Sequence, residues 1–419
     1  MMQHDSPPAA VAMAIDMDGW YSWRRAFYSV LIGMITNASM WTSVTLMPVL
    51  QSEFGLTRTE ASYPYIAIMF GYLVGGPVLG RWSDRYGVAN ILVVSSILAS
   101  LGYLVGAMMH SFWPFLLTQL FVGLGAAVGL APLTADISHW FRKRRGMAIT
   151  VVSSAGYLSG ALWAIIIGNM VRDGSWRDVH LLIGGVLLMV VPLSFLLRRR
   201  VPSDVLDEAD RSSSQKAKHV GLSPLTIKSI LVLAAVSCCI AMAIPQIHIV
   251  ALCGDLGFTV SQGSELISMM LLGGIASRFV CGAIIDIVGP VTILFVGSLL
   301  QMLALTFYIH ADGLASLQLV SVVFGLAQGG ILPSYPLIVR EYLPARSAGA
   351  IIGVVAAGNI FGMAFGGWIS GWIYDQTGSY FVAFLNGIGW NGLNVILIGS
   401  LVLRMRTPPA GQTRRVEAV

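Results

Sequence analysis

Apolar residues form long runs along this chain, and short polar segments separate them. Twelve of these runs are close to 20 residues long, which is the length that crosses the hydrocarbon core of a bilayer as an α-helix. The runs lie near residues 25–50, 61–80, 88–109, 113–136, 147–170, 179–197, 227–252, 264–285, 291–310, 315–338, 348–373 and 381–403. The pattern therefore predicts an all-α membrane protein with twelve transmembrane helices.

One long polar stretch divides this pattern into two halves. It covers residues 198–226 and holds basic, acidic and serine runs, as expected for a linker. We therefore predict two pseudo-symmetric six-helix bundles, formed by residues 25–197 and 227–403. Short tails precede and follow them at residues 1–24 and 404–419.

Lysine and arginine residues concentrate in the loops on one side of the predicted helices. The opposite loops hold only Arg58, Arg172 and Arg177. Because basic residues are retained on the cytoplasmic side of a membrane, this distribution predicts cytoplasmic termini and a cytoplasmic linker. We expect a multi-pass protein of a bacterial inner membrane.

Composition supports the membrane prediction and excludes other classes. The chain is 56% hydrophobic and 11% charged with a mean hydropathy of +0.77, whereas soluble domains carry about 25% charged residues. Its basic residues fall at helix ends rather than on one face, so nucleic acid is not an expected partner. The spacing of the four cysteines fits neither a zinc site nor a secretory disulfide pattern. We expect no metal and no cofactor.

The two halves resemble each other at a nearly constant offset. Asp84 and Asp286 lie 202 residues apart in similar glycine-flanked segments, and so do Gly123 and Gly325. Two further loop segments match in the same order. This ordered similarity indicates a duplication with the same topology in both halves.

The segment from Gly80 to Gly87 has the pattern Gly-x-x-x-Asp-Arg-x-Gly, which resembles the signature loop of the major facilitator superfamily. Its weaker copy ends near Asp286. The resemblance implies a transporter fold in which this loop latches the helices of one side. In that latch Gly80 permits close helix approach, Asp84 accepts hydrogen bonds from the start of a neighbouring helix, and Arg85 and Gly87 complete the motif.

Within that superfamily the chain is most similar to the monocarboxylate transporters and the oxalate:formate antiporters. Residues 18–23 resemble the Asp-Gly entry to their first helix, residues 71–80 their glycine-rich second helix, and residues 140–146 their Trp/Tyr-Phe-x-x-Arg-Arg-Gly loop. Arg278 lies eight residues before Asp286, the spacing at which these relatives place a substrate-binding arginine.

Arg278 lies near the middle of the eighth predicted helix, in an apolar run. A guanidinium there costs about 3 kcal/mol to insert and cannot lose its proton. Since no carboxylate occupies the middle of another run, we expect an anionic substrate to bind Arg278. The alternative is a structural role, with Arg278 bound to helix-end carbonyls or a neighbouring polar group. Gly274 stands where proton-coupled relatives often have an aspartate, and Val355 where the oxalate carrier has a second cation. A single fixed cation predicts a substrate with one carboxylate.

His248 follows Pro245 in the seventh predicted helix and is a candidate for proton coupling and substrate binding. A neutral histidine bonded between helices is the alternative. Further candidates for the substrate site, each of which could instead pack between helices, are Asn37, Trp41, Tyr157, Gln328 and Asn359.

These features predict a monomeric secondary transporter of small organic monocarboxylates that works by alternating access. Proton symport, anion exchange and uniport remain open as modes of coupling. Proton-coupled efflux of drugs or other hydrophobic solutes is the alternative, although the fifth helix lacks the Gly-Pro motif common in such exporters. A membrane sensor and an embedded enzyme are weaker alternatives, because neither an added soluble domain nor a catalytic motif is visible.

Overall fold

A computed structural model of the protein describes residues 18–129, 131–141, 144–199, 222–343 and 345–406. The described chain is helical, and eleven of its helices are long and apolar enough to cross a membrane, or twelve if a bent pair counts as one span. The helices are α1 (Trp20–Thr45 with Met47–Phe54), α2 (Arg58–Tyr86), α3 (Val88–Ala107), α4 (Phe112–Ala126 with Ala131–Ser138), α5 (Arg145–Ser153 with Ala155–Asp173), α6 (Trp176–Leu197), α7 (Pro224–Asp255), α8 (Val260–Val288), α9 (Pro290–Ile309), α10 (Leu314–Gln328 with Ile331–Tyr342), α11 (Ala345–Thr377) and α12 (Phe381–Arg406).

These helices confirm the predicted all-α membrane fold. Each predicted run overlaps one of them, although α1 begins at Trp20, five residues earlier than predicted. Most of the predicted linker and parts of both predicted tails lie outside the described residues, so the division into domains stays a prediction.

Proline lies at a helix bend in α1 and inside an uninterrupted helix in α7. The two segments of α1 meet at an angle of 52°, and a proline occupies the first turn of the segment Met47–Phe54. Proline suits that position because its missing N–H would be unpaired there anyway. In contrast, α7 continues as one helix through Pro245.

The internal repeat is visible in the termini of α2 and α8. The helix α2 begins with a capping box of Thr57 and Glu60, and α8 begins with one of Thr259 and Gln262. Each residue of the second box lies 202 residues after its counterpart in the first. In both boxes the threonine side chain accepts a backbone N–H from the third helical residue, whose own side chain accepts the N–H of the threonine.

The same offset appears in the packing of glycines. A Cβ built on Gly123 would collide with the carbonyl oxygen of Ile68 in α2, and one built on Gly325 would collide with that of Met270 in α8. The two contacts are again 202 residues apart. Only glycine lets α4 and α10 approach α2 and α8 this closely, so both halves share helix packing as well as topology.

The predicted latch is only partly described. Gly87 takes a positive φ of 84° between α2 and α3, and Gly289 one of 85° between α8 and α9. A Cβ on Gly80 would meet no atom of the described residues within 4 Å, so the described part of the structure shows no close helix approach there, and the latch stays a prediction. The side chains of Asp84 and Asp286 lie outside the described part of the structure, whereas Arg85 lies 5.3 Å from the centroid of the adjoining Tyr86 ring.

Two segments that carry the family resemblance contact each other. The Asp18 carboxylate accepts a hydrogen bond of 2.9 Å from the backbone N–H of Arg144, directly before α5. The rings of Tyr21 and Trp140 pack with centroids 5.1 Å apart. The entry to α1 therefore fixes the start of α5, the helix that carries Tyr157.

A buried ion pair joins α1 to α4. Arg25, which is 2% exposed, donates from Nε and Nη2 to the two carboxylate oxygens of Asp136 at 2.8 and 2.9 Å. Its Nη2 also donates to the carbonyl oxygen of Leu197 in α6. In the sequence Arg25 is one of the basic residues on the predicted cytoplasmic side, and the structure shows that it also ties three helices together.

The two halves meet mainly along two helix pairs. Gly371 of α11 packs against the backbone of α2, since a Cβ built on Gly371 would lie 2.9 Å from the carbonyl oxygen of Arg58. Ser264 of α8 packs against Gly168 of α5. These contacts lie towards the end of the bundle whose loops carry few basic residues, which we call the arginine-poor end. The positive-inside rule predicts that this end is extracellular.

Candidate functional site

Arg278 lies on the face of α8 that packs against α5, and it is 5% exposed. Its guanidinium carbon lies 4.3 Å from the centroid of the Tyr157 ring. Its Nη1 donates to the carbonyl oxygen of Ser153 at 3.1 Å and to Ser153 Oγ at 3.4 Å. The cation therefore spans the contact between the two halves of the protein.

The other edge of the Arg278 guanidinium, formed by Nε and Nη2, is open in the sense that its buried Nε has no hydrogen-bond partner among the described residues. No carboxylate of the described residues forms an ion pair with it. Since Nε and Nη2 are the pair of donors that match a carboxylate side-on, this edge can bind one carboxylate in bidentate fashion.

Gly274 lies one helical turn before Arg278 and leaves room for Tyr157. A Cβ built on Gly274 would lie 2.8 Å from Cε1 of that ring. An aspartate here, as in proton-coupled relatives, would displace the ring from the guanidinium. The stacked tyrosine therefore occupies the volume in which such an acid would pair with Arg278, and attraction between a desolvated cation and a ring is worth about 2 kcal/mol.

Trp41 and Asn37 lie on α1 beside the same part of α5. The indole Nε1 of Trp41 donates to the carbonyl oxygen of Gly156 at 3.0 Å. The Asn37 amide donates to Gly33 at 2.8 Å and to Gly129 at 3.4 Å. The structure thus brings both predicted residues next to Tyr157, while their polar hydrogens are already satisfied by backbone.

Gln328 and Asn359 belong to the second half. The Gln328 amide oxygen accepts a 2.6 Å hydrogen bond from Gln246, and its Nε2 is buried without a partner. The next residue, Gly329, packs against the backbone of α8, since a Cβ built on Gly329 would lie 2.6 Å from the backbone nitrogen of Arg278. The Asn359 oxygen accepts from the Cys239 thiol at 3.5 Å. Gln328 is thus near the Arg278 turn, and its Nε2 donates to no other group among the described residues.

His248 lies away from this cluster. It is seven residues from the end of α7 at Asp255, whereas Arg278 is 18 residues from the start of α8 at Val260. At a rise of about 1.5 Å per residue the two side chains are separated by roughly 16 Å along the helix axes. His248 Nδ1 is 2.9 Å from the Tyr380 hydroxyl, and Nε2 is 2.8 Å from the Gly367 carbonyl oxygen.

A polar cluster at the arginine-poor end was not foreseen as a site. Arg58 Nη2 lies 2.6 Å from Asp255 Oδ1, and the Asp375 carboxylate accepts the backbone N–H groups of Arg58 and Thr59 at 2.8 Å each. We use the name Arg58 closure for the cluster formed by Arg58, Thr59, Asp255, Asp375, Tyr374 and Tyr380. The available sequence signal was the opposite charges at helix ends, which did not reveal that the ends of α2, α7 and α11 meet.

Sequence reasoning also overlooked His180 in α6. It is 1% exposed and lies beside Trp176 and Tyr103, with ring centroids 5.2 and 5.1 Å away. Its Nδ1 is 3.1 Å from the Trp176 carbonyl oxygen, and Nε2 is 3.4 Å from the Gln119 amide nitrogen. Both ring nitrogens face polar groups of the first half, so His180 contributes to packing there.

An internally repeated bundle of membrane-spanning helices, with a buried cation that has no carboxylate partner among the described residues, is an arrangement expected of a membrane transporter. The family profile described as Major Facilitator Superfamily matches residues 29–250 and 229–418. The chain therefore belongs to the major facilitator superfamily, and the predicted family is confirmed. It is an integral, multi-pass membrane protein that transports a small molecule.

Relatives and solved structures agree with this assignment. The chain is 26% identical over 240 residues to MFS-type transporter pytF of Aspergillus terreus, covering 56% of this chain and 78% of that protein. It is 24% identical over 414 residues to human monocarboxylate transporter 11, covering 92% and 82%. A crystal structure of a D-xylose-proton symporter superposes with a TM-score of 0.73 at 14% identity, covering 94% of this chain and 99% of that one, which supports the fold alone.

Proposed function

We propose that this protein transports small organic monocarboxylates across the membrane by alternating access. The observation that carries the proposal is the open Nε and Nη2 edge of Arg278, a cation that is 5% exposed and has no carboxylate partner among the described residues. Monocarboxylate transporters among the relatives support the same substrate class.

In this mechanism the carboxylate binds the open edge of Arg278 and neutralises a buried charge. Because Arg278 already contacts Ser153 and Tyr157 across the halves, the bound anion joins groups from both sides. Trp41 and Tyr157 offer apolar surface to the rest of the substrate. Binding then changes the relative stability of the two orientations of the halves, which is the step that moves the site from one side to the other.

The number of cations favours a monoanion. Val355, at the position of the second cation in the oxalate carrier, is 2% exposed and apolar. A second carboxylate near Arg278 would therefore be buried without a counter-charge, and an unpaired buried ion costs several kcal/mol. We accordingly propose substrates with one carboxylate and a short apolar part.

Coupling and cellular setting belong to the same proposal. We propose proton symport with His248 as the proton-binding residue, while anion exchange and uniport are alternative modes. The arginine distribution supports cytoplasmic termini and an inner-membrane location, and we propose that one chain is the functional unit.

A substrate panel tests the proposal. Purified protein is screened by thermal shift against monocarboxylates, dicarboxylates and uncharged analogues, and hits are measured by flux into proteoliposomes. We expect monocarboxylates to raise the melting temperature of the native chain and leave that of Arg278→Gln unchanged. Stabilisation and flux by uncharged hydrophobic solutes alone would instead support the efflux alternative and refute the carboxylate site.

A further inference from the structure

The Arg58 closure joins three helices from both halves of the protein. Arg58 begins α2 in the first half, and its guanidinium pairs with Asp255 at the end of α7 in the second. Asp375 of α11 accepts the first two backbone N–H groups of α2, and the Thr59 hydroxyl also donates to it. A carboxylate on a helix N-terminus is stabilised by the helix dipole, so this contact holds α2 against α11 at the arginine-poor end.

Aromatic rings connect this ion pair to His248. The Arg58 guanidinium carbon lies 4.5 Å from the centroid of Tyr374 and 5.8 Å from that of Tyr380. The Tyr380 hydroxyl lies 2.9 Å from His248 Nδ1. Burial raises the pKa of the Tyr380 phenol well above its usual value, so the hydroxyl keeps its proton and can donate it.

The hydrogen bonds of His248 match the neutral imidazole. A carbonyl oxygen can only accept, so Nε2 must carry the hydrogen that points to Gly367. Nδ1 is then free to accept from Tyr380. The ring is 1% exposed, and the charged groups facing it are Arg58 of α2 and Asp375 of α11, with Tyr374 and Tyr380 in between.

We propose that His248 is a proton switch for the Arg58 closure, so that a proton on His248 favours the state in which the arginine-poor end is open. This inference deepens the proposed function, because it assumes that the protein alternates between states open at opposite ends. It assigns the proton a place of action distinct from the substrate site at Arg278.

The physical reason is the positive charge that protonation places on the ring. A proton on Nδ1 turns the acceptor into a donor, so the Tyr380 O–H turns away and its oxygen accepts instead, which alone leaves the hydrogen bond intact. The new charge, however, lies near Arg58, whose side chain is already paired with Asp255. Opening the closure lets water solvate the imidazolium and separates the two cations.

The size of the effect follows from linkage. A histidine exposed to water has a pKa near 6.5. If the closed state holds the ring neutral, lowering the pH from about 7.5 to about 5.5 multiplies the ratio of open to closed molecules by about 10. The change requires no substrate, because it depends only on proton binding.

A cysteine reporter measures this ratio. Ser264 is buried between α8 and Gly168 of α5, close to the arginine-poor end, so a Ser264→Cys thiol becomes reactive when that end opens. Ser52 is exposed near the same end, so Ser52→Cys corrects for the effect of pH on the thiol reagent. Both variants are labelled with a water-soluble maleimide in lipid nanodiscs, and the labelling of the parent chain is subtracted.

We expect the Ser264→Cys rate, divided by the Ser52→Cys rate, to rise about tenfold between about pH 7.5 and about pH 5.5. His248→Gln should abolish the rise, because a glutamine amide can donate to Gly367 and accept from Tyr380 but does not titrate. Arg58→Gln should raise the labelling at both pH values, because it removes the ion pair. If Ser264→Cys does not fold, Ser268→Cys, one turn deeper and 2% exposed, replaces it.

A flat ratio in the native background, or a rise that persists in His248→Gln, would overturn the switch. The result does not depend on which solute is carried. A pH-dependent closure together with failure of monocarboxylates in the substrate panel would refute the proposed substrate alone, whereas carboxylate flux with a flat ratio would refute the switch alone.

Discussion

Replacing Arg278 by lysine tests the proposed site most directly, because it keeps the charge and removes the geometry. Lysine has a single ammonium in place of the Nε and Nη2 edge, and it lacks the planar guanidinium whose carbon lies 4.3 Å from the centroid of the Tyr157 ring. The substitution therefore separates two explanations, a specific carboxylate clamp and a general positive potential.

The expected loss can be worked from these contacts. A hydrogen bond to a charged group contributes about 1.5–3 kcal/mol, and lysine keeps at most one of the two that the open edge offers. Since about 1.4 kcal/mol is a factor of ten, the dissociation constant of a monocarboxylate should rise about 10- to 100-fold. Arg278→Gln removes the charge as well and should abolish detectable binding.

The assay is binding of a hit from the substrate panel to purified protein, measured by calorimetry at constant pH and ionic strength. Arg172→Lys, at the exposed end of α5, is the matched control and should bind like the native chain. A dissociation constant for Arg278→Lys within a factor of two of the native value would refute a bidentate clamp, even if Arg278→Gln does not bind.

Two stability predictions follow from the fold, both measured by thermal unfolding in the same detergent. Gly325→Ala should destabilise the protein by about 1–3 kcal/mol, because its Cβ would collide with the backbone of α8. The control Gly353→Ala should have no adverse effect, because its Cβ meets no atom of the described residues within 4 Å. Equal melting temperatures of the two variants would contradict the packing. Asp136→Asn should lower the free energy of unfolding by about 3 kcal/mol, because it leaves Arg25 buried without a counter-charge. The control Glu53→Gln, in an exposed pair with Arg177, should change it by less than about 1 kcal/mol. An Asp136→Asn variant as stable as the native chain would show that this ion pair is dispensable.

Much of this architecture was predictable because bilayer spans and duplications leave direct traces in sequence. Apolar runs of about 20 residues located the helices, and the offset of 202 residues between Asp84 and Asp286 recurs in the capping boxes and in the glycine contacts of Gly123 and Gly325. The sequence also singled out Arg278, because an isolated cation in an apolar helix demands a partner, but it did not predict the contact of Arg278 with Ser153 and Tyr157 of α5.

Other features could not be predicted because they depend on which helix ends meet in three dimensions. Arg58, Asp255 and Asp375 are ordinary helix-end charges in the sequence and become one cluster only when α2, α7 and α11 converge. Arg25 followed the charge bias of its loop, which concealed its pair with Asp136. Helix register and depth decided these contacts, and neither is fixed by hydropathy alone.

The separation of His248 from Arg278 constrains how a proton could be coupled to an anion. At roughly 16 Å along the helix axes, a proton on His248 can neither neutralise a carboxylate bound at Arg278 nor pass to it directly. Coupling between such sites has to act through the equilibrium between two arrangements of the halves, and it is reciprocal. Arg278 contacts α5 on the α8 side of the interface, and the Arg58 closure joins α2 to α7 and α11. In the proposed mechanism both sites would therefore bias the same rearrangement from different helix pairs, so proton and substrate need not share a cavity.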